Sequence, residues 1–346
     1  MKTLGLDVHK DWCQLTAVDD ETDEVCLEMK VRTDPEELQR VVAGIPGPKR
    51  LVMEEGAPSA RLVDALRGLV EEIISCDPTV NALIAGAEDH NDENDARRLI
   101  TLRRAGALRP VYTPPEPYRT LRSLLGYDHR LGREMTRVRN QIKGLCRRTG
   151  FRYRGVAVYP AKNRPAVLDG MPNAALRWEM ESLFRRLEAL KEERRSAHRV
   201  LSGFDAELAE IERLQSIPGV GPTVARTLVA WIVDPARFRS RPALSSYAGL
   251  GISQKVTHWK ATGKAVASRR GQPELKRVLY LAAAAAVNGR NAWARRFRMR
   301  MDAGWERRKA IRDVARRLLF TGVAVWRNGT EYQDAKVAMP SLPGTA

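Results

Sequence analysis

The chain has 346 residues, 43% of them apolar, and carries 59 Lys/Arg against 42 Asp/Glu for a formal net charge of +17. That length suggests two or three domains with real cores, and the basic excess points to phosphate-bearing partners rather than acidic ligands. Cys13, Cys26, Cys76 and Cys146 show no C-x-x-C spacing, which argues against a zinc framework, and the apolar stretch 279–287 is far too short to span a bilayer.

Residues 3–9, 12–18 and 24–31 alternate or run apolar around a polar Asp19-Asp20-Glu21 turn, predicting a three-strand meander. Lys2 leads straight into the first strand, so no signal peptide is expected. Asp34-Pro35-Glu36-Glu37 predicts a helix start, with Asp34 as N-cap and Pro35 in the first turn. A strand over 50–53, a helix over 58–71, a strand over 72–76 and a helix beginning near Asp92 follow. Three strands, helix, strand, helix, strand, helix is the order of an α/β ribonuclease-H-like (RuvC-like) domain, assigned to residues 1–112.

Four carboxylates mark that segment. Asp7 ends the run Thr3-Leu4-Gly5-Leu6, Glu54 ends Leu51-Val52-Met53, and Asp92 and Asp95 form a D-x-x-D step at a helix start. Carboxylates close together raise one another's pKa, a cost that bound cations remove. Two Mg²⁺ ions about 4 Å apart are a standard device for phosphodiester chemistry. The expected cofactor is therefore Mg²⁺, two ions, with Mn²⁺ as a substitute.

Residues 113–210 read as a linker followed by helical or coiled-coil structure. An apolar stripe of Leu121, Leu124, Leu125, Leu131, Met135, Val138, Ile142 and Leu145 predicts a helix over 118–148. A second runs over 174–200 through Leu176, Met180, Leu183, Leu187 and Leu190, with a Gly/Pro/Arg-rich loop between them. Residues 211–330 are expected to form a mainly α domain, and 331–346 a flexible tail. In Ile217-Pro218-Gly219-Val220-Gly221-Pro222 the glycines Gly219 and Gly221 suit a helix-hairpin-helix, whose backbone amides approach a phosphate without reading sequence.

Charge is unevenly spread. Residues 1–60 hold thirteen acids against seven bases; 117–154 hold eleven bases against two acids, and 290–320 eleven against three. Arg-dominated blocks behind an acidic front suit phosphate-gripping surfaces. Arg269, Arg270, Lys276 and Arg277 are candidate nucleic-acid contacts. His9 is read as a strand-end polar contact, and Trp293, Trp305 and Trp326 as helical core rather than base-stacking groups.

Together these pieces resemble the DEDD-type insertion-sequence transposases, the bridge-RNA-guided insertion-sequence family one-ten, to which the pilin-gene inverting recombinases are related. Gly5-Leu6-Asp7-Val8-His9-Lys10, Met53-Glu54-Glu55-Gly56 and Asn91-Asp92-Glu93-Asn94-Asp95-Ala96-Arg97 are similar to its three acidic motifs. Tyr247-Ala248-Gly249-Leu250, Ser268-Arg269-Arg270-Gly271 and Leu275-Lys276-Arg277-Val278-Leu279-Tyr280 are similar to its C-terminal domain. The resemblance implies DNA cutting and rejoining, a Mg²⁺ site at Asp7, Glu54, Asp92 and Asp95, a noncoding guide RNA, a dimer or tetramer, and a cytoplasmic, nucleoid-associated location. It also implies a serine nucleophile before a glycine, seven residues past the leucine of the A-G-L motif. From Leu250 that count falls on Thr257, while Thr262-Gly263 is similar by residue type. A RuvC-like nuclease using water and a non-catalytic nucleic-acid-binding protein are the rival readings.

Overall fold

The computed structural model describes residues 1–77, 92–257, 260–267 and 270–337; for 92–94 and the two strands between 252 and 267 the description is of the backbone. The chain divides into two compact units, Met1–Pro115 and Glu116–Ala346.

Unit 1 is built on a six-stranded mixed sheet in the order β3-β2-β1-β4-β5-β6. Strands β1 (Lys2–Val8), β2 (Trp12–Asp19) and β3 (Val25–Arg32) form the antiparallel meander. Strands β4 (Lys49–Glu54) and β5 (Glu72–Cys76) join it in parallel, and the short β6 (Pro110–Val111) closes the edge antiparallel. Helix α1 (Pro35–Gly44) begins as the sequence predicts: Asp34 Oδ1 accepts from the backbone N–H groups of Glu36 at 3.1 Å and Glu37 at 3.0 Å. Helix α2 (Ser59–Leu66) stops five residues before the predicted end at 71. Gly68 sits in the turn that follows, where helix continuation is costly, and the Leu69 N–H closes a turn onto the Leu66 carbonyl.

The sheet's two faces bury different sets. Leu4, Leu6, Leu15, Leu51 and Met53 pack with Leu38, Val42, Leu62 and Leu66 from α1 and α2. On the other face Val52 and Cys76 pack against Leu99 of α3 (Asp92–Arg104). Alternation along β1 and β4 therefore puts Gly5, Asp7, Val52 and Glu54 on the α3 side.

Unit 2 starts with a long antiparallel helical pair, α4 (Tyr118–Arg148) and α6 (Ala174–Glu207), with the short α5 (Arg164–Asp169) in the loop between. Met135, Val138, Ile142 and Leu145 meet Met180, Leu183, Phe184 and Leu187 along the seam. Helix α6 outruns its predicted end at 200 because Leu201 is buried and Phe204 packs partly on the second core. Asp128, on the apolar side of α4 and 4% exposed, is held by Arg194 (2.7 and 3.2 Å) and His198 Nε2 (2.8 Å). Burial pushes its carboxyl up, but the Arg194 and His198 hydrogen bonds outweigh that and hold it below its ordinary value.

The second core joins Leu121 and Leu125 of α4 to α7 (Glu210–Gln215), α8 (Pro222–Ile232), α9 (Arg241–Tyr247), α10 (Pro273–Ala286), α11 (Ala292–Asp302) and α12 (Arg307–Asn328). Trp293 is fully buried there, as predicted. One element departs from the mainly α expectation: β7 (Ile252–Thr257) and β8 (Lys260–Ala267) form an antiparallel ribbon.

Candidate active site

The carboxylates are placed by the sheet. Strands β1 and β4 are parallel neighbours, and their register runs to the pair Leu6 and Met53. Asp7 and Glu54 follow that pair at the same end of adjacent strands, on the face that α3 covers. Glu54 ends β4, whereas Glu55 lies past it and is exposed, so strand alternation favours Glu54 as the site carboxylate. The turn behind Glu54 is pinned by Ser59, 2% exposed, whose hydroxyl donates to the Glu54 carbonyl (3.0 Å) and accepts from the Gly56 N–H (2.7 Å).

Helix α3 brings the D-x-x-D step to the same end. Its last residue is tied to the far end of the meander, where Arg104 pairs with Asp20 and Asp23, and its middle to the centre of β3, where Arg97 pairs with Glu28 at 2.9 and 2.7 Å. The helix thus runs antiparallel to β1, with Asp92 and Asp95 leading toward the end of β1 that carries Asp7. A single missing side chain sets its height. A Cβ on Gly5 would lie 2.1 Å from the Ala96 carbonyl oxygen, so only glycine lets the first turns of α3 rest on β1 there. In the sequence Gly5 stands out only as a motif residue; its signal is the one residue without a side chain inside a buried strand.

Asp7 is mostly enclosed, its side chain 15% exposed, and its Oδ2 lies 2.9 Å from His9 Nε2. His9 in turn packs against Trp12, with ring centroids 4.1 Å apart and the rings tilted by 31°. Asp95 is more open and pairs with Arg98 at 3.2 Å. Among the described residues no three His, Cys, Asp or Glu side chains come together as a metal cage. The Asp92 side chain is not among them, so the fit to a divalent cation rests on backbone placement and on hard oxygen donors.

In unit 2 the motif residues separate by role. Gly219 has φ +89°, and a Cβ there would meet the Ala282 carbonyl oxygen of α10 at 2.4 Å, so packing alone requires a glycine. Gly221 is the N-cap of α8, and a Cβ there would meet nothing within 4 Å. Gly219→Ala is accordingly expected to cost unit 2 about 2 kcal/mol or more. Gly221→Ser, which supplies a favoured cap, is expected to stay within about 0.5 kcal/mol of the parent. Thermal unfolding of the two variants checks this, and equal losses would overturn the distinction.

The base of the ribbon is closed where the Gln272 N–H donates to the Tyr247 carbonyl at 2.7 Å, which sets the A-G-L motif beside Arg270. Register puts Thr257 opposite Lys260 at the ribbon's tip and Thr262 opposite Lys255. Arg270 is exposed, Lys276 and Arg277 are half-buried on α10, and Arg269 lies outside the described residues.

Two family models match the chain. One, the DEDD transposase model of IS110, covers residues 4–150, and the other, described as Transposase IS116/IS110/IS902 family, covers residues 211–298. The chain belongs to the IS110 transposase family. It is also 26% identical over 296 residues to the insertion element IS110 uncharacterized 43.6 kDa protein of Streptomyces coelicolor, covering 71% of this chain and 73% of that relative. An IS110-family transposase acts on DNA by nucleotidyl transfer, and nuclease domains of the DEDD class use divalent metal ions. Among the described residues no helix is long and apolar enough to cross a membrane.

Proposed function

We propose that this transposase cuts and rejoins DNA with Asp7, Glu54, Asp92 and Asp95 as Mg²⁺ ligands on a RuvC-like scaffold and with the Thr257 hydroxyl as nucleophile. The observation that carries the reading is the parallel register of β1 and β4, which ends on two carboxylates under a helix start bearing two more. Bound there, Mg²⁺ supplies Lewis-acid stabilisation of charge on the scissile phosphate. His9 orients the Asp7 carboxylate through the Nε2 contact. The threonine oxygen forms a new ester to phosphorus as the bond to the leaving DNA oxygen breaks, and that oxygen leaves with a proton. Thr262 is the alternative hydroxyl. Gly221, Arg270, Lys276 and Arg277, together with Arg269, serve the nucleic-acid surface beside a helix-hairpin-helix turn. A noncoding guide RNA and a homo-oligomer complete the assembly.

The threonine where the family resemblance implies serine favours one second reading, a nuclease that uses water. A suicide DNA substrate separates the two. With a hydroxyl nucleophile, protein becomes joined to a DNA end, peptide mapping finds the nucleotide on Thr257 or Thr262, and alanine at that residue removes the adduct. Thr257→Ser is expected to react faster if Thr257 is the nucleophile, since the crowding methyl is gone. Metal-dependent nicks with free 5′-phosphate and 3′-hydroxyl ends and no adduct would establish water instead.

A further inference from the structure

Unit 2 holds a basic groove of which the quoted family motifs include only Arg277. It has a volume of about 790 Å³ and runs along one face of α4, where His129, Arg133, Arg137 and Gln141 follow one another at steps of four residues. Thr136 and Asn140 widen that face, Thr223 at the start of α8 and Arg277 of α10 also line the groove. We propose that this groove binds the phosphate backbone of duplex DNA, with Arg133, Arg137 and Arg277 as the contacting groups. The proposal rests on the reading of the chain as an enzyme that acts on DNA.

Three observations support it. First, the cations are uncommitted: among the described residues Arg133, Arg137 and Arg277 make no ion pair or hydrogen bond, and Arg277 Nε is buried without a partner. Among the described residues the one acid lining the groove, Asp128, is already held by Arg194 and His198. Burial and then the Arg277 and Arg133 charges hold the His129 imidazole below its ordinary value, against the opposing pull of Glu274 and Asp128. Second, the lining matches a backbone rather than bases. Among the described residues it contains no Phe, Tyr or Trp ring on which an unpaired base can stack, the one ring being the small imidazole of His129, but it has neutral hydrogen-bonding groups at Thr136, Asn140, Gln141 and Thr223. Third, the length fits. From residue 129 to 141 the helix rises about 18 Å, roughly five base-pair steps of duplex.

The test is binding by the full-length protein to a labelled duplex of arbitrary sequence, followed by fluorescence anisotropy over a range of KCl concentrations. Arg133 and Arg137 are exposed, so R133A/R137A keeps the fold, which circular dichroism verifies. The double variant is expected to bind about tenfold or more weakly at moderate salt. Its log–log salt slope should fall by about two, because each lost contact releases about one counterion fewer. R147A/R186A removes the same charge from exposed positions elsewhere on α4 and α6 and is expected to leave the slope close to the parent's. Equal effects of the two double variants would overturn the groove while leaving the DNA reading intact. A loss confined to an RNA hairpin run in parallel would overturn the assignment to DNA. Failure of the parent protein to bind duplex at all would overturn both the groove and the wider reading.

Discussion

Alanine at Asp7 or at Glu54 is expected to reduce DNA strand cleavage by about a thousandfold or more. A Lewis-acid site contributes several kcal/mol to the transition state of phosphodiester chemistry, and each 1.4 kcal/mol or so is a factor of ten. Asp7→Asn is the sharper variant because it keeps the shape and a hydrogen-bonding oxygen for His9 while removing the charge that a hard cation needs. A second readout does not depend on turnover. Divalent metal at about a hundred times its dissociation constant adds about 2.7 kcal/mol to the state that binds it. The full chain should therefore unfold several degrees higher in Mg²⁺ or Mn²⁺ than in EDTA, and Asp7→Asn should lose most of that difference. Undiminished cleavage by Asp7→Ala would sink the carboxylate site.

The largest effect on stability is expected at Asp313 in α12. Its side chain, 3% exposed, faces three guanidinium groups: Arg296 at 2.7 Å, Arg300 at 3.2 Å and Arg316 at 3.4 Å. Arg296 is only 2% exposed, and burial presses its guanidinium below its ordinary value while the Asp313 carboxylate works in the opposite direction. Asp313→Ala leaves that cation inside the core unpaired and is expected to cost about 3–5 kcal/mol. The double variant Arg296→Met with Asp313→Leu should recover much of the loss, because removing both charges also removes both desolvation costs. Urea unfolding followed by tryptophan fluorescence reads the right unit, since of the seven tryptophans all but Trp12 lie beyond Pro115. A loss under about 1 kcal/mol for the single change would mean that Arg296 finds water or another acid.

What was legible in the sequence was what short-range chemistry writes. An apolar run that stops at an acid predicted β1 and β4, and Asp34-Pro35 predicted the start of α1. Failures came where distant contacts decide. The Ser253-Gln254-Lys255 stretch has little apolar alternation, so the ribbon left no period-two signal. Leu201 and Phe204 prolong α6 because a second core receives them there. Asp128 interrupts an otherwise apolar stripe, and its partners lie 66 and 70 residues further on. For the candidate site, the acids could be named but not oriented. Which face of β1 carries Asp7, and how closely α3 can approach it, depends on the space at Gly5.

The paired helices α4 and α6 also restrict how this architecture can drift in evolution. Polar partners join them at both ends, Asp128 to Arg194 and His198 at one and Arg148 to Glu179 at the other. One residue inserted into either arm turns everything beyond it by about 100° and takes the buried seam out of register. Length can therefore change only in matched steps of about seven residues on both arms together. Single insertions and deletions belong in the 149–173 connection, where relatives of this chain should concentrate their gaps.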